Sequence, residues 1–330
     1  MEDLTDARAE AATRINTTVP HPARVYDYLL GGKDNFAADR EAAEKLIKVS
    51  PGTREGVRAH RAFLRRAVRH LVAEGGVSQF LDLGTGIPTQ GNTHEIAQAI
   101  DPGARVVYVD NDPIVLVHGR ALLTGSAAGT TTVIEADLRQ PEAILSHPEV
   151  RATLDFTRPV AVILAGVLHF VTDEEDPYAV VERFKAAVPA GSHLLLSHIT
   201  LDFAPQVDED EFTKPYDNGT APMVPRTHAG VMRFFDGWHL VDPGVVEVVK
   251  WRPDEDGHRE HIPGGGHAWA YGGIAIKPEP EGPTALGDGA SPRGPSALAN
   301  TGGFYPLSLR RSGAVAYDEG RGELLAVGGE

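Results

Sequence analysis

Apolar positions along this chain keep one period for the first 75 residues and another through most of the remainder. Val25, Tyr28 and Leu29 lie on one side of a short helix near 24–30. Ala42, Ala43, Leu46 and Ile47 mark a second helix, 35–49, and Val57, Phe63, Leu64, Val68, Leu71 and Val72 mark a longer one, 53–74. Pro51-Gly52 separates these two, and Gly75-Gly76 stops the last. Short continuous apolar runs then alternate with helical patterns: strand 79–83, helix 93–100, strand 105–110, helix 113–123, strand 132–136, helix 140–146, strand 160–165, helix 176–187 and strand 192–198. Such alternation predicts a mostly parallel α/β sheet covered on both faces. Period-two alternation in 245–251 and 267–276 predicts an antiparallel pair at one edge, for seven strands in all. A short helix is expected at 227–235, and the acidic, irregular stretch 200–215 is expected to form a second wall beside the strand ends.

The glycine-rich turn after the first strand, Asp82-Leu-Gly84-Thr85-Gly86, is the focus of the pattern. Glycine lets a backbone approach a ligand closely and take angles closed to other residues. The next helix, opened by the capping-box spacing Asn92 to Glu95, adds free N–H groups. The next two strands end in acids, at Asp110 and Asp137, and the fourth ends in Gly166 with His169 just beyond. Strand C-termini of an open parallel sheet share one edge, where ligands bind. Each acid taken singly is equally a turn or helix-start residue; their recurrence at successive strand ends favours a shared crevice. His169 is the candidate catalytic base, with a half-buried histidine beside a helix as the alternative.

These stretches resemble the class I S-adenosylmethionine (SAM)-dependent methyltransferases. LDLGTGIPTQGN is similar to their first motif, VYVDNDP to their ribose-binding acid, EADLRQP to the adenine-side acid and ILAGVLHFV to the fourth strand. Upstream, ARVYDYLLGGKDNFAAD (23–39) resembles the signature of an actinobacterial methyltransferase family formerly labelled a domain of unknown function, and the likeness runs from about 16 to 277. The resemblance implies a Rossmann-like class I methyltransferase fold with an N-terminal helical extension. It implies SAM as cofactor, S-adenosylhomocysteine as product and a small-molecule acceptor. Cofactor contacts are implied at Asp82, Gly84, Thr85, Gly86, Asp110, Asn111, Asp137, Leu138, Ala165 and Gly166, with Tyr26 and Gly32 from the upstream signature. Ile87-Pro88-Thr89 departs from the family, where a further glycine is frequent, and Pro88 removes one N–H. The same departure argues against a nicotinamide cofactor, whose Gly-x-Gly-x-x-Gly turn needs glycine at Thr89.

This reading divides the chain into four segments: an N-terminal arm 1–18, a helical lid or extension 19–76, a SAM-binding domain 77–277 and a low-complexity, disordered tail 278–330 rich in Pro, Gly, Ser and Ala. The 20–40 segment reads either as a lid over the crevice or as a helical hairpin that only packs on the sheet. Lys33 at its turn reads either as a carboxylate partner or as a solvated residue. The net charge of −15 disfavours nucleic-acid acceptors. Arg58, Arg61, Arg65, Arg66 and Arg69 fall at helical spacing and read as a solvated face. The chain has no cysteine, so disulfides and cysteine nucleophiles are excluded. His193, His198, His239, His261 and His267 lack metal-ligand spacing, and no metal is expected. No signal peptide or membrane span is read, and a cytoplasmic location is the default expectation. Tryptophans and phenylalanines beyond 200 are candidates to line an apolar acceptor pocket. A non-catalytic SAM-binding module and, less well supported, a nicotinamide-dependent oxidoreductase are the competing functions.

Overall fold

The continuous apolar runs become the inner strands of one sheet. In chain order these are β1 (Gln79–Leu83), β2 (Arg105–Asp110), β3 (Thr130–Glu135), β4 (Ala161–Ala165) and β5 (His193–Ile199). They pair in parallel in the order β3-β2-β1-β4-β5. β1 is buried at every position, as a strand covered on both faces requires. Three antiparallel strands complete the sheet. β6 (His239–Leu240) and β7 (Val246–Glu247) are two residues each, and both pair with β8 (Ala270–Ile276), which lies against β5 in register from His193–Ile276 to Ile199–Ala270. The computed structural model describes residues 15–88, 91–123, 129–204, 206–254, 267–280, 315–318 and 323–326. Two compact units are present, Met1–Glu281 and Gly282–Glu330. In the second, within the stretch read as a disordered tail, β9 (Val315–Asp318) and β10 (Glu323–Ala326) pair antiparallel. The arm 1–14 and His261 lie outside the described residues.

The sheet thus has eight strands rather than the expected seven, because its edge is divided. The alternating stretch 245–251 contributes only Val246–Glu247; Val248–Lys250 forms a single 3-10 turn. Two interactions draw this segment off the sheet. Arg66 donates to the carbonyl oxygens of Val248 (2.7 Å) and Trp251 (3.0 Å), and the fully buried Trp251 ring meets Phe63 edge-on at 5.6 Å. Burying an indole outweighs continuing an edge ladder.

Among the described residues three helices precede the sheet: α1 (Pro22–Leu30), α2 (Ala37–Val49) and α3 (Thr53–Ala73). Val25 and Leu29 of α1 pack with Ala42, Ala43 and Leu46 of α2, and with Phe212, Tyr216 and Met223 from beyond β5. α3 turns Phe63, Ala67 and Leu71 into the core against Phe80, Ile163 and Leu195. The remaining helices are α4 (Thr93–Ile100), α5 (Pro113–Leu123), α6 (Pro141–Leu145), α7 (Pro148–Thr153), α8 (Pro177–Ala187), α9 (Glu209–Thr213) and α10 (His228–Met232). Pro148 starts α7 at its first turn, so the region after β3 holds two short helices where one was expected. Among the described residues no helix is long and apolar enough to cross a membrane.

Phe63 also fixes how closely α3 sits on β8. A Cβ on Gly272 would lie 2.6 Å from Cζ of the Phe63 ring. Gly272→Ala is therefore expected to destabilise the fold by about 1–3 kcal/mol through overpacking. Adding Phe63→Leu to that variant should recover part of the loss, as read by urea unfolding. An unchanged midpoint in the single variant would show that α3 and β8 separate freely.

Candidate functional site

The strand C-termini open into a cavity of about 250 Å³. At one end the chain turns sharply after β1. Gly84 and Gly86 have φ of +70° and +69°, angles that favour glycine. A Cβ on Gly84 would also collide with the Val167 side chain. The loop is tied to β2 by Asp110, whose Oδ2 accepts from the Gly86 N–H at 2.7 Å while Oδ1 accepts from the Asp112 N–H at 2.9 Å. Asp82 accepts from the Thr93 hydroxyl at 2.7 Å, which joins the end of β1 to the start of α4. Asp137 is held by Arg139, whose Nε and Nη2 reach its carboxylate at 2.6–3.0 Å and whose Nη1 extends to Glu175 at 2.5 Å. Each acid therefore performs the local bracing that the sequence left open, and all three also line the cavity. Burial raises the Asp110 carboxyl, opposed by the two backbone N–H donors. Burial also acts on Asp137, but the Arg139 hydrogen bonds outweigh it and hold that carboxyl below its ordinary value.

The other end of the cavity is apolar. Leu29, Leu46, Val57, Phe212, Met223 and Trp269 line it, so Phe212 and Trp269 meet the expectation of aromatic lining. Trp251 packs in the core instead, while Trp238 and Phe234 join the opposite core layer. The wall expected from 200–215 extends further along the chain, through Phe212, Tyr216 and Met223. Between the two ends stands a group of imidazoles. His60 Nδ1 lies 2.8 Å from the Tyr26 hydroxyl, and its Nε2 lies 2.7 Å from Ser197 Oγ. His198 donates from Nδ1 to the Ile199 carbonyl at 2.8 Å, leaving Nε2 to accept from Arg226 at 3.0 Å. Arg226, itself buried, also donates to the carbonyls of Leu168 and Val171, both at 3.1 Å, and to Asp173 at 2.6 Å. It so clamps the turn that carries His169. His169 lines the cavity, and its buried Nδ1 has no hydrogen-bond partner among the described residues.

Two comparisons place this arrangement. The sequence matches the S-adenosyl methyltransferase family over residues 8–278. The chain belongs to that family. It is 46% identical to a DUF574 family protein from Streptomyces avermitilis, covering 79% of this chain and 99% of that one, with a TM-score of 0.74. It is 43% identical to a protein from Thermobifida fusca proposed to be a methyltransferase, covering 80% and 97%, with a TM-score of 0.73. No curated protein matches the chain at a significant level. The cofactor of this methyltransferase is SAM, and the sheet is the Rossmann-like class I arrangement.

The cavity's polar end fits that cofactor. At Gly86 a Cβ would meet nothing within 4 Å, so the turn leaves open space there, and Asp110 presents a carboxylate at the end of the strand next to it. Asp82, Gly84, Thr85, Gly86, Asp110, Asn111, Asp137, Leu138, Ala165, Gly166 and Tyr26 all line the one cavity, together with His169. Gly32 is set apart from them. It sits in the turn after α1, and its missing side chain makes room for the Asp27 carboxylate. Lys33 is exposed in the same turn. Sequence reading missed His60, Ser197 and Arg226, which fall in no motif, and His21, whose Nδ1 is 3.1 Å from Asp112. Of the α3 arginines read as a solvated face, Arg58, Arg65 and Arg69 are exposed, while two differ. Arg61 instead lines the cavity, donates to the Gly91 carbonyl at 3.2 Å and acts electrostatically on Asp82; Arg66 is spent on backbone carbonyls.

The Asp82 carboxyl is pushed up to about 6, chiefly by burial, with the Thr93 hydroxyl and Arg61 pulling the other way. An acid raised above its unfolded value weakens the native state as it ionises. The stability Asp82 contributes is present at low pH and is lost as pH rises through about 6. Asp82→Asn keeps an acceptor for Thr93 and removes the charge. It should raise apoprotein stability at pH 7.5 by on the order of 2 kcal/mol, with the gain shrinking toward pH 5. Urea unfolding at both pH values checks this; a variant less stable than wild type at pH 7.5 would contradict it.

Proposed function

We propose that this methyltransferase transfers the methyl group of SAM to a small molecule seated in the apolar half of the cavity. The observation that carries the reading is the division of one cavity into a polar end built from glycines and acids and an apolar end lined by aliphatic and aromatic side chains. In this reading Asp110 accepts from the ribose hydroxyls through charge-assisted bonds, with Asn111 beside it. Asp137 and Leu138 take the adenine side, with Arg139 fixing the carboxylate. Gly84, Thr85 and Gly86 run along the ribose and methionine portion, with Asp82 behind them. Ala165, Gly166 and Tyr26 mark the boundary between the two halves.

Bound SAM supplies an electrophilic methyl group on sulfur. The protein's share is alignment and exclusion of water. α1, α2 and α3 serve as the cover over the strand ends: His21, Ala23, Tyr26 and Leu29, then Leu46, then Val57, His60 and Leu64 face the cavity from them. That role supports reading the 20–40 segment as a lid that also packs. Proton acceptance at the acceptor falls to an imidazole. His169 and His60 both reach the cavity, and burial keeps both neutral near pH 7.

Calorimetric titration of SAM and S-adenosylhomocysteine into wild type and Asp110→Ala tests the cofactor end. Binding by wild type and at least a ten-fold loss in the variant, with an unchanged far-ultraviolet spectrum, is the expected result. Equal affinity in the two proteins would remove Asp110 from the site. Binding of NADH with no binding of SAM would overturn the whole reading.

A further inference from the structure

One hydrogen-bonded line crosses the cavity at the boundary between its halves. Tyr26 comes from α1, His60 from α3 and Ser197 from β5, and all three line the cavity. The imidazole is bonded at both nitrogens, 2.8 Å from the tyrosine hydroxyl and 2.7 Å from the serine hydroxyl. Each hydroxyl both donates and accepts, so either tautomer of His60 is satisfied. A proton crosses the ring by exchanging donor and acceptor roles, with no movement of heavy atoms. The end of β4 leaves room for the ring: a Cβ on Gly166 would lie 3.1 Å from His60 Cε1. His60 is half-buried, and its ring lines the cavity.

The apolar side of this line is built mainly of uncharged side chains; His267, which also lines the cavity, is already engaged by Glu247 at 3.1 Å. Leu29, Leu46, Val57, Phe212, Met223 and Trp269 are uncharged at any pH, and burial raises the Tyr216 hydroxyl above its ordinary range. A carboxylate or ammonium seated there would lose its hydration without a counter-ion. A neutral molecule loses little, provided its one polar group finds a partner. Tyr26, which is partly exposed, is the partner for a hydroxyl, and the fully buried Ser197 stands behind the ring.

We propose that the acceptor is a neutral, largely apolar molecule bearing a hydroxyl group, and that the Tyr26–His60–Ser197 line receives the hydroxyl proton as the oxygen is methylated. This rests on the methyl-transfer reading of the cavity. The oxygen lone pair forms the new O–C bond. The S–C bond breaks with its electron pair left on sulfur, so the sulfonium becomes the neutral thioether of S-adenosylhomocysteine. The proton passes to the line and resides on His60 until the cover opens. His60 is a positioning and relay group, since it acts through the Tyr26 hydroxyl bonded to Nδ1, while the buried Ser197 holds Nε2. Burial, then Arg61, pulls its pKa down to about 4, which keeps it free to accept at neutral pH. A weak base is sufficient, because an oxygen gaining a methyl group becomes strongly acidic as the bond forms. The other titratable groups about the ring are Tyr26, Arg61 and His169. The buried Nδ1 of His169 has no partner among the described residues, so that nitrogen is not joined to the line.

The test uses the intact protein and three probes of one shape: 2-naphthol, 2-naphthoate and 2-naphthylmethylamine. Calorimetry on protein saturated with S-adenosylhomocysteine should show 2-naphthol binding at least ten-fold more tightly than the two ions. With SAM, turnover of 2-naphthol should fall at least a hundred-fold in His60→Gln, with KM within about three-fold of wild type. The residual turnover should climb with pH as the naphthol ionises in solution, whereas wild-type kcat stays flat from pH 6 to 8. Ser197→Ala, which cuts one arm of the line, should show the same pattern in weaker form and stands in if His60→Gln does not fold. Tighter binding of either ion, binding of none of the three, or retained turnover in both variants would overturn the inference. SAM titration of wild type separates the failures: if SAM binds and naphthol does not, the acceptor assignment fails alone; if SAM does not bind, the underlying reading fails.

Discussion

Burying two carboxylates two residues apart, Asp110 and Asp112, is the constraint on which the site depends. Neither can be left without partners in a water-poor crevice. Asp110 satisfies itself on the Gly86 and Asp112 N–H groups. Asp112 accepts from the Ile114 N–H at 3.0 Å, while its other oxygen faces His21 at 3.1 Å and Arg24 at 3.4 Å. Asp39 of α2 joins the same cluster, 3.7 Å from Arg24, and accepts from the backbone N–H groups of His21 and Phe36. The glycine turn after β1, the end of β2 and the first two helices are thereby one connected assembly. Buried ion pairs add little net stability. Their effect here is to register the helical cover against the loop it covers.

Much of this was legible because it is local. The turn after β1, the acids at the ends of β2 and β3 and the glycine after β4 are each declared by a run of five or six residues. What was not legible is set by tertiary packing. His60 and Arg61 lie in a helix whose arginine spacing looks like a solvated face, and only the docking of α3 decides which side is wet. Ser197 is one polar residue inside a buried strand, and nothing local marks its partner 137 positions earlier. The edge strand was overextended because alternation in VVEVVKW carries no sign of how strongly Trp251 is held under α3. Gly32 looked like part of a ligand loop, and its neighbour Asp27 is what needs the space.

The imidazoles gathered at the centre of the cavity share one property. Burial brings His198 down to about 3 and His60 to about 4, and pulls His169 well below the ordinary histidine value, with neighbouring histidines and Arg226 adding to the effect on His169. Neutral rings spare a cationic sulfonium the repulsion that imidazolium groups at the centre of the cavity would exert. With the rings neutral, the charge at the polar end comes from the acids and from Arg61 and Arg139 beside them.

α3 carries two obligations on adjacent faces. Gly56, Val57, His60, Arg61 and Leu64 look into the cavity, whereas Phe63, Ala67 and Leu71 anchor the core. One residue added or removed within this helix would swing everything beyond it through about 100°. No local repacking would restore both faces at once. Substitutions can accumulate along α3 one position at a time, but its length between Thr53 and Phe63 is frozen. Variation in chain length among descendants of this protein must therefore be accommodated in the loops that leave the sheet on its far side.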